Sequence, residues 1–401
     1  MLESVIIIIV GIMIGIITGI IPGIHVNLVC AVLLSFIPNL IIYISQLNIA
    51  ILITSITITH VFIDMVPSTF LSAPNTQTAL AMLPAHELLM QGYGFEAVRL
   101  SVVGAFAALI TGIVFIPVAW LVIPWLYNYL AMWMALVLIL VVVILILSED
   151  SATKILWASF VFMISGLLGI TTFSLELNDP LLPLLSGSFG IAMIITSIRE
   201  HTVLPPQVET EMIHVTNKEL IGYSIRSVTA GTLTALLPGL GTSQGVVLAS
   251  LAIPTNKISY ILIVAGVSMI NFLFSIITLV TINKARNGAI ATIKELIPKI
   301  DYTSAMILII VSVITACVAA ILTMWCARLC ARMVMHIKYS LICFLVLIFI
   351  STLVLILSGI PGVIVLILST CIGLLTNITG IKKTHALGCL LIPTILYYIR
   401  I

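Results

Sequence analysis

Long apolar runs follow one another along the whole chain, separated by short polar breaks. Most of them have roughly the 17 to 25 residues that a membrane-spanning α-helix needs, so the pattern predicts an all-α polytopic membrane protein. Some runs are shorter and suit re-entrant hairpins. The predicted segments are residues 4–21, 24–43, 48–66, 97–124, 126–147, 154–172, 180–198, 220–237, 242–254, 258–282, 302–327, 339–358, 361–376 and 385–399.

One pattern of small residues occurs twice and ends each time in Pro-Gly. The two copies are Gly15, Thr18, Pro22 and Gly23 and, 216 positions later, Gly231, Thr234, Pro238 and Gly239. We therefore predict one integral membrane domain, residues 1–401, built from two structural repeats, residues 1–198 and 220–401, with a polar connection over 199–219. Seven segments in the first half are an odd number, which predicts that the second repeat is inverted.

The composition excludes a soluble protein. Hydrophobic residues make up 62% and charged residues 7% of the 401 residues, whereas soluble domains carry about 25% charged residues. A net charge of +2 without a basic block predicts no nucleic-acid partner. The seven cysteines lack zinc-type spacing, and nucleotide-binding and hydrolase motifs are absent from the sequence. We therefore predict no enzyme, no catalytic residue, no metal site and no cofactor apart from a coupling ion.

Pro-Gly inside an apolar run predicts a broken helix. Proline lacks a backbone donor and glycine accepts irregular φ angles, so peptide groups are freed where lipid cannot satisfy them. Paired breaks in two halves are typical of a transporter site near the membrane midplane, and the alternatives are hinges or packing kinks. The predicted substrate-binding residues are Pro22, Gly23, His25, Asn27, Pro238, Gly239, Gly241, Thr242, Ser243 and Gln244.

The third segment carries an ionisable pair, His60 and Asp64, four residues apart on one helix face. An intramembrane carboxylate costs at least a few kcal/mol, so we predict that this pair couples transport to a cation. The alternative is a structural role, in which Asp64 pairs with His60 or Arg99 or caps a helix beginning after Pro67. The polar stretch that follows predicts either a re-entrant hairpin or an extramembrane loop. Its predicted contact residues are Ser68, Thr69, Asn75 and Thr76.

Most basic residues fall on one side of the predicted segments, which the positive-inside rule makes cytoplasmic. These are Arg99, Lys154, Arg199, Lys218, Lys257, Arg328, Arg332, Lys338, Lys382 and Lys383. The stretch with Lys284, Arg286, Lys294 and Lys299 falls on the other side. It breaks the rule unless it folds back into the protein.

Several stretches resemble TctA-like permeases, and most closely their archaeal branch. They are residues 15–27 with Pro22-Gly23, residues 59–75 with His60 and Asp64, residues 78–86, residues 238–242, and residues 380–394. TctA is the large membrane subunit of tripartite tricarboxylate transporters, which take up citrate-like carboxylates with a coupling cation. A small membrane subunit and a periplasmic binding protein complete those transporters.

This resemblance implies a multi-pass permease of the cell membrane, surrounded by lipid. We expect a secondary active transporter that moves a small organic anion, a carboxylate, with Na⁺ or H⁺ by alternating access. A small membrane subunit and an extracytoplasmic binding protein are the implied partners, and homo-oligomerisation is left open. The alternative is a translocase for a polyprenyl-phosphate-like lipid head group, because the same broken-helix site chemistry would serve it.

Overall fold

The computed structural model describes residues 2–21, 26, 29–30, 33, 37, 40–71, 82–177, 179–199, 204–209, 213–236, 242, 245–246, 249, 256–335 and 339–399. Over these ranges the chain forms helices and turns without a strand, which confirms the all-α class. The helices are α1 (Leu2–Ile20), α2 (Gln46–Ile63), α3 (Met65–Phe70), α4 (Met82–Met90), α5 (Gly94–Leu147), α6 (Ala152–Ser174), α7 (Leu181–Leu185), α8 (Ala192–Arg199), α9 (Asn217–Leu236), α10 (Lys257–Ile282), α11 (Gly288–Leu296), α12 (Tyr302–Val334), α13 (Tyr339–Thr379) and α14 (Gly388–Ile399).

Seven helices in the described part of the chain are long and apolar enough to cross a membrane. They are Leu2–Ile20, Gln46–Phe70, Gly94–Tyr129, Ala152–Ser174, Lys257–Ile282, Tyr302–Val334 and Cys343–Thr379. Met132–Leu147 and Leu181–Thr196 are shorter apolar helices. The predicted segments 24–43 and 242–254 lie largely outside the described residues, although Val26 and Val246 within them are helical.

Two spans form the centre of the bundle. The span Gln46–Phe70, made of α2 and α3, is buried over its whole length, and α10 is buried over nearly all of its length. Both are largely apolar on every face, apart from scattered hydroxyl and amide groups and the His60 and Asp64 side chains of the first span, so neither has a lipid-facing side, and each is enclosed by other helices. The outer helices expose large apolar side chains such as Leu121, Ile321 and Ile356, as lipid contact requires.

The central span continues four residues beyond the predicted end of the third segment at residue 66. Helix α3 begins at Met65 directly after a turn at Asp64, and Pro67 lies in its first turn, where a missing N–H is tolerated. Ser68 and Thr69 therefore belong to the end of a buried helix. Asn75 and Thr76, the other two predicted hairpin residues, lie outside the described residues.

Most basic loops meet at one end of the bundle, which we call the basic end. Its contacts are Arg99 Nη2 to Ile213 O (2.8 Å), Gln207 Nε2 to Leu89 O (3.0 Å), Arg332 Nε to Glu209 Oε1 (2.6 Å), Lys382 N to Glu149 Oε1 (2.9 Å), an ion pair of Lys257 with Glu87, and an electrostatic contact of Lys383 with Glu87. The predicted common side of these cations is thus one end of the molecule.

A second set of contacts defines the opposite end. The rings of Trp120 and Tyr302 lie 5.6 Å apart, and Ser358 Oγ donates to Asp179 O at 3.1 Å. Arg286 Nε donates to Leu236 O at 3.1 Å. Lys284, Arg286 and Lys294 therefore lie away from the basic end, as the sequence predicts.

Helix α5 folds back on itself. Its 54 residues would extend about 81 Å if straight. However, Glu149, just past its end, contacts Lys382, and the neighbouring Lys383 lies within electrostatic range of Glu87, just before its start. The legs Gly94–Tyr129 and Met132–Leu147 therefore run antiparallel, in agreement with the predicted segments 97–124 and 126–147.

Helix α13 also has two legs, joined by a kink at Gly359. This glycine has φ 63° and ψ −163°, a conformation that few residues other than glycine adopt, and Pro361 follows it. Ser358 holds the kink at the opposite end, whereas Thr379 leads into Lys382 at the basic end. The legs correspond to the predicted segments 339–358 and 361–376.

The helix pair α1 and α2 runs in the opposite direction to the pair α9 and α10. Helices α1 and α2 start together, because Ser4 Oγ donates to Asn48 Oδ1 at 3.1 Å, and they run side by side towards Phe70, which contacts Gly94 at the basic end. Helices α9 and α10 start at the basic end and run away from it, so that Leu236 reaches Arg286.

The C-terminal helices of the two halves pack on each other reciprocally. Gly388 lies against Phe162 O, and Gly187 lies so close to Leu366 O that an added β-carbon would be 2.7 Å from it. Two serine hydroxyls repeat this reciprocity. They are Ser165, which donates to Ala386 O at 2.5 Å, and Ser369, which donates to Pro183 O at 2.8 Å.

A buried acid–base pair joins the halves at the basic end. His385 Nε2 lies 2.8 Å from Glu149 Oε1, and both side chains are almost fully buried. Burial holds the pKa of His385 below its usual range, against the opposing effect of Glu149. Burial alone would raise the pKa of Glu149, but the hydrogen bonds from Lys382 N–H and His385 together hold it below its usual range.

Acidification is expected to destabilise this junction. Both pKa values are lower in the folded than in the unfolded state, so the unfolded chain binds more protons as the pH falls, first below about 6.5 through His385. We expect the melting temperature of the detergent-solubilised protein to drop between pH 7 and 5, and the drop to be smaller in His385→Gln. The exposed His214→Gln is the matched control. An identical pH slope in all three proteins would contradict the prediction.

Candidate substrate and cation site

The first motif threonine contacts the histidine of the central span. Thr18 Oγ1 lies 3.2 Å from His60 Nδ1, and it also donates to Gly15 O at 3.3 Å. Because the hydroxyl proton is directed at Gly15, the contact assigns the donor role to His60 Nδ1–H and leaves Nε2 as the basic nitrogen of the neutral ring. Both side chains are buried.

The second motif threonine makes the corresponding contact. Asn271 Nδ2 donates to Thr234 Oγ1 at 2.9 Å, and Thr234 Oγ1 donates to Gly231 O at 2.9 Å. In each half, therefore, the motif threonine donates to the motif glycine three residues earlier and meets a polar side chain of a central helix. The Asn271 side chain thus forms a hydrogen bond between α10 and α9.

Close glycine packing sets both of these contacts. A β-carbon added to Gly15 would lie 2.6 Å from Thr59 Cβ, and one added to Gly231 would lie 2.6 Å from Ile270 Cβ. Thr59 and Ile270 directly precede His60 and Asn271. The missing side chains of the motif glycines thus let α1 reach α2, and α9 reach α10, at the level of the polar pair.

Most of the predicted broken-helix residues lie outside the described residues. These are Pro22, Gly23, His25, Asn27, Pro238, Gly239, Gly241, Ser243 and Gln244. Thr242 is described, and it is helical and buried. Gly245 packs against Thr234 and Val267, so the chain has turned back along α9 within nine residues of its end at Leu236.

The remaining predicted residues of the first half extend the polar site along the central span. Asp64 is 6% exposed, and Ser68 and Thr69 are similarly buried. The backbone N–H of Asp64 donates to His60 O at 2.9 Å, and the Asp64 side chain makes no capping bond to α3. The capping alternative for Asp64 is therefore wrong. Thr59, beside His60, has a buried hydroxyl without a hydrogen-bond partner among the described residues.

The loop between α10 and α11 folds back into the protein. Asn283 ends α10 in the left-handed conformation (φ 51°), and Asn287 caps α11 by accepting from Ile290 N at 2.9 Å. Ile290 and Ile293 of α11 are fully buried. Between the two caps, Arg286 reaches Leu236 O at the end of α9, and its guanidinium lies 5.5 Å from the ring centroid of Tyr127.

These features combine membrane spans with buried polar pairs between helices, and comparison with known proteins identifies the family. The family model described as the tripartite tricarboxylate transporter TctA family matches residues 5–388. The chain belongs to the TctA family. Members of this family are the large membrane subunit of tripartite transporters, so the protein is a multi-pass membrane component of a tricarboxylate transporter.

An archaeal relative matches this TctA-family protein over almost its entire length. The uncharacterized protein MJ1079 of Methanocaldococcus jannaschii is 25% identical over 406 residues, which cover 99% of each chain. No solved structure matches the chain. The resemblance to the archaeal branch that the sequence motifs indicate is thereby confirmed.

The TctA-family protein also has an apolar cavity of about 530 Å³ beside the first helix break. Ile20, Pro67, Cys326, Met333 and Phe349 are among its lining residues, and the lining contains no charged, amide or hydroxyl side chain. Met333 and Phe349 are exposed on the lipid-facing side. The cavity can hold an acyl chain or an apolar helix, but it has no group that would bind a charged solute.

The motif glycines provide a test of the packing around the polar pairs. Gly15→Ala and Gly231→Ala each force a methyl group into an occupied space, and we expect each to lower the stability by about 1 to 3 kcal/mol. Gly222→Ala is the matched control, because nothing lies within 4 Å of its added β-carbon and alanine favours the helix. Equal melting temperatures for all three variants in detergent would contradict this packing.

Proposed function

We propose that this TctA-family protein is a secondary active transporter for a small organic anion, a carboxylate, coupled to Na⁺ or H⁺ by alternating access. The observation that carries this proposal is the matched pair of contacts, Thr18 with His60 and Thr234 with Asn271. Each pair lies just before a Pro-Gly break and inside the protein. Paired breaks of this kind let peptide groups bind a solute within the membrane.

The proposed transporter is an inverted duplication of repeats 1–198 and 220–401. Three kinds of observation support it. The motif threonines make equivalent contacts, the corresponding helices run in opposite directions, and the C-terminal helices pack reciprocally through Gly187 on Leu366 and Gly388 on Phe162. When two repeats, each with an odd number of membrane crossings, are inverted relative to each other, one binding site can open to either side of the membrane.

In the proposed site, the two breaks bind the anion. Helix ends at Pro22-Gly23 and Pro238-Gly239 would offer unpaired peptide N–H groups, which favour negative charge. His25, Asn27, Gly241, Thr242, Ser243 and Gln244 would complete the contacts. A site near the membrane midplane also requires that the chain return to the membrane surface after each break. In the second half, the contact of Gly245 with Thr234 supports such a return.

The proposed cation site lies on the central span. Asp64 supplies the negative charge, and His60, whose ring is oriented by Thr18, lies one helical turn away. The buried hydroxyl of Thr59 has no hydrogen-bond partner in the described part of the chain, so it would serve as a further oxygen ligand for Na⁺. For proton coupling, the same His60 and Asp64 would carry the proton.

The family supports two partners, a small membrane subunit and an extracytoplasmic binding protein. Association with a second copy remains open in this proposal. The translocase alternative has no support, because the lipid-accessible cavity beside Ile20 and Pro67 lacks a side chain that would bind a phosphate head group.

Ligand-dependent stabilisation tests the coupled carrier. For the purified protein, we expect a di- or tricarboxylate to raise the melting temperature only with Na⁺, or only at a pH that protonates the site. A ligand at about 100 times its Kd stabilises the folded state by about 2.7 kcal/mol. Asp64→Asn should abolish the cation dependence, because it removes the negative charge of the proposed cation site.

Asp150→Asn serves as the matched control, because this carboxylate is exposed and forms only an exposed ion pair with Lys154. Cation-dependent stabilisation that persists in Asp64→Asn would exclude Asp64 from coupling. Stabilisation by a prenyl phosphate and by no carboxylate would favour the translocase instead.

Reporter fusions test the inverted arrangement. The positive-inside rule makes the basic end cytoplasmic, and α14 runs away from that end. We therefore expect alkaline phosphatase fused after Ile399 to be active and green fluorescent protein there to be dark. The same reporters inserted within residues 210–212 should give the reverse pattern. Reporters on the same side at both positions would indicate parallel repeats or a different number of crossings.

A further inference from the structure

Arg286 occupies the end of the helix that leads into the second Pro-Gly break. Its Nε donates to Leu236 O at 3.1 Å, and Leu236 is the last residue of α9, two positions before Pro238. Tyr127 lies beneath the guanidinium, with 5.5 Å from Cζ to the ring centroid. The partly buried side chain therefore lies at the end of α9, two residues before Pro238 of the proposed anion site.

The charge of Arg286 is not neutralised within the described part of the protein. Its Nη2 is fully buried and has no hydrogen-bond partner there, and no carboxylate of those residues lies within 4 Å. Arg99 binds Glu96, and Arg328 and Arg332 bind Glu209. A buried donor of a charged group that lacks a partner is destabilising, so a ligand that pairs with it gains affinity.

The backbone holds Arg286 in place from both sides. On one side, Asn283 ends α10, Lys284 N donates to Thr278 O at 3.4 Å, and Lys294 Nζ donates to Asn283 O at 2.8 Å. On the other side, Asn287 caps α11. The loop is thus a short segment between two capped helices, and the guanidinium is a preorganised group.

We propose that Arg286 is a substrate-binding residue that pairs with a carboxylate of the transported anion through its Nη groups. This inference rests on the proposed function and deepens it by naming the cation that recognises the substrate. A planar guanidinium matches a carboxylate through two parallel hydrogen bonds. Nε remains on Leu236 O, so the residue orients the anion towards the break at Pro238-Gly239. Lysine at this position cannot make both contacts.

The experiment compares Arg286→Gln and Arg286→Lys with wild type in the full-length detergent-solubilised protein. Isothermal titration calorimetry and thermal shift would use acetate, succinate, citrate and inorganic phosphate. The matched control is Arg226→Gln, because Arg226 also stacks on a tyrosine, 5.6 Å from the Tyr223 centroid, but lies in the middle of α9. We expect citrate affinity to fall at least 10-fold in Arg286→Gln and to recover in part in Arg286→Lys, with Arg226→Gln unchanged.

Each further outcome has one meaning. Equal citrate affinity in wild type and Arg286→Gln, with a lower melting temperature in the variant, would overturn the inference and leave a capping role for Arg286, while the proposed function stands. Phosphate binding that needs Arg286, without carboxylate binding, would keep the anion site and overturn the proposed substrate class. A wild type that binds none of the four anions would overturn both. If Arg286→Gln does not fold, Arg286→Lys decides by the same comparison.

Discussion

The arrangement depends on the close approach of glycine to a neighbouring helix. At Gly15 and Gly231 an added β-carbon would meet Thr59 and Ile270 at 2.6 Å, so the helix pairs can be in contact only because these side chains are missing. A hydrogen bond is lost when its donor–acceptor distance grows by more than a few tenths of an ångström. The contacts of Thr18 with His60 and of Thr234 with Asn271 therefore exist as a consequence of glycine packing. In the proposed carrier, this packing would surround the Pro-Gly breaks with protein, which irregular backbone at membrane depth requires.

Sequence patterns predicted the parts of this structure that depend on the periodicity and hydropathy of residues along the chain. The spans and the two legs of α5 and of α13 follow from local runs of apolar residues. The common end of the lysines and arginines follows from the order of those runs along the chain, and the glycine motif follows from comparing the two halves of the sequence. The equivalence of His60 and Asn271 does not, because different residue types occupy the two positions and only their shared contact with a motif threonine relates them. The sequence pattern also predicts that the central span ends before Pro67. In the structure, α3 begins at Met65 after the turn at Asp64, so Pro67 lies in the first turn, where its missing N–H is tolerated.

The sequence marked the stretch around Arg286 as unusual but did not indicate what this residue does. The stretch around it breaks the positive-inside rule, and the sequence offered inward folding as the only way to keep the rule. The structure has that folding: α11 buries Ile290 and Ile293, and the two asparagine caps direct Arg286 to the end of α9. The two halves then differ in charge. The carboxylate of Asp64 lies near the end of α1, and the guanidinium of Arg286 lies at the end of α9. In the proposed carrier, the first half would therefore mainly bind the cation and the second half the anion.

Contacts between the halves restrict how such a carrier can move. Gly104 on α5 packs on the backbone of Leu262 on α10, where an added β-carbon would lie 2.7 Å from Leu262 Cα, and Thr315 on α12 donates to Ser55 on α2 at 3.4 Å. These helices belong to different sequence repeats and are interlocked by glycine and small-residue packing. Interiors packed at this density shift between discrete arrangements rather than deforming smoothly. Movement of one whole repeat against the other would break these contacts, so the moving unit must be smaller than a repeat. Helices α1 and α9 are such units, since each is joined to its central helix by a glycine face and a few side-chain hydrogen bonds.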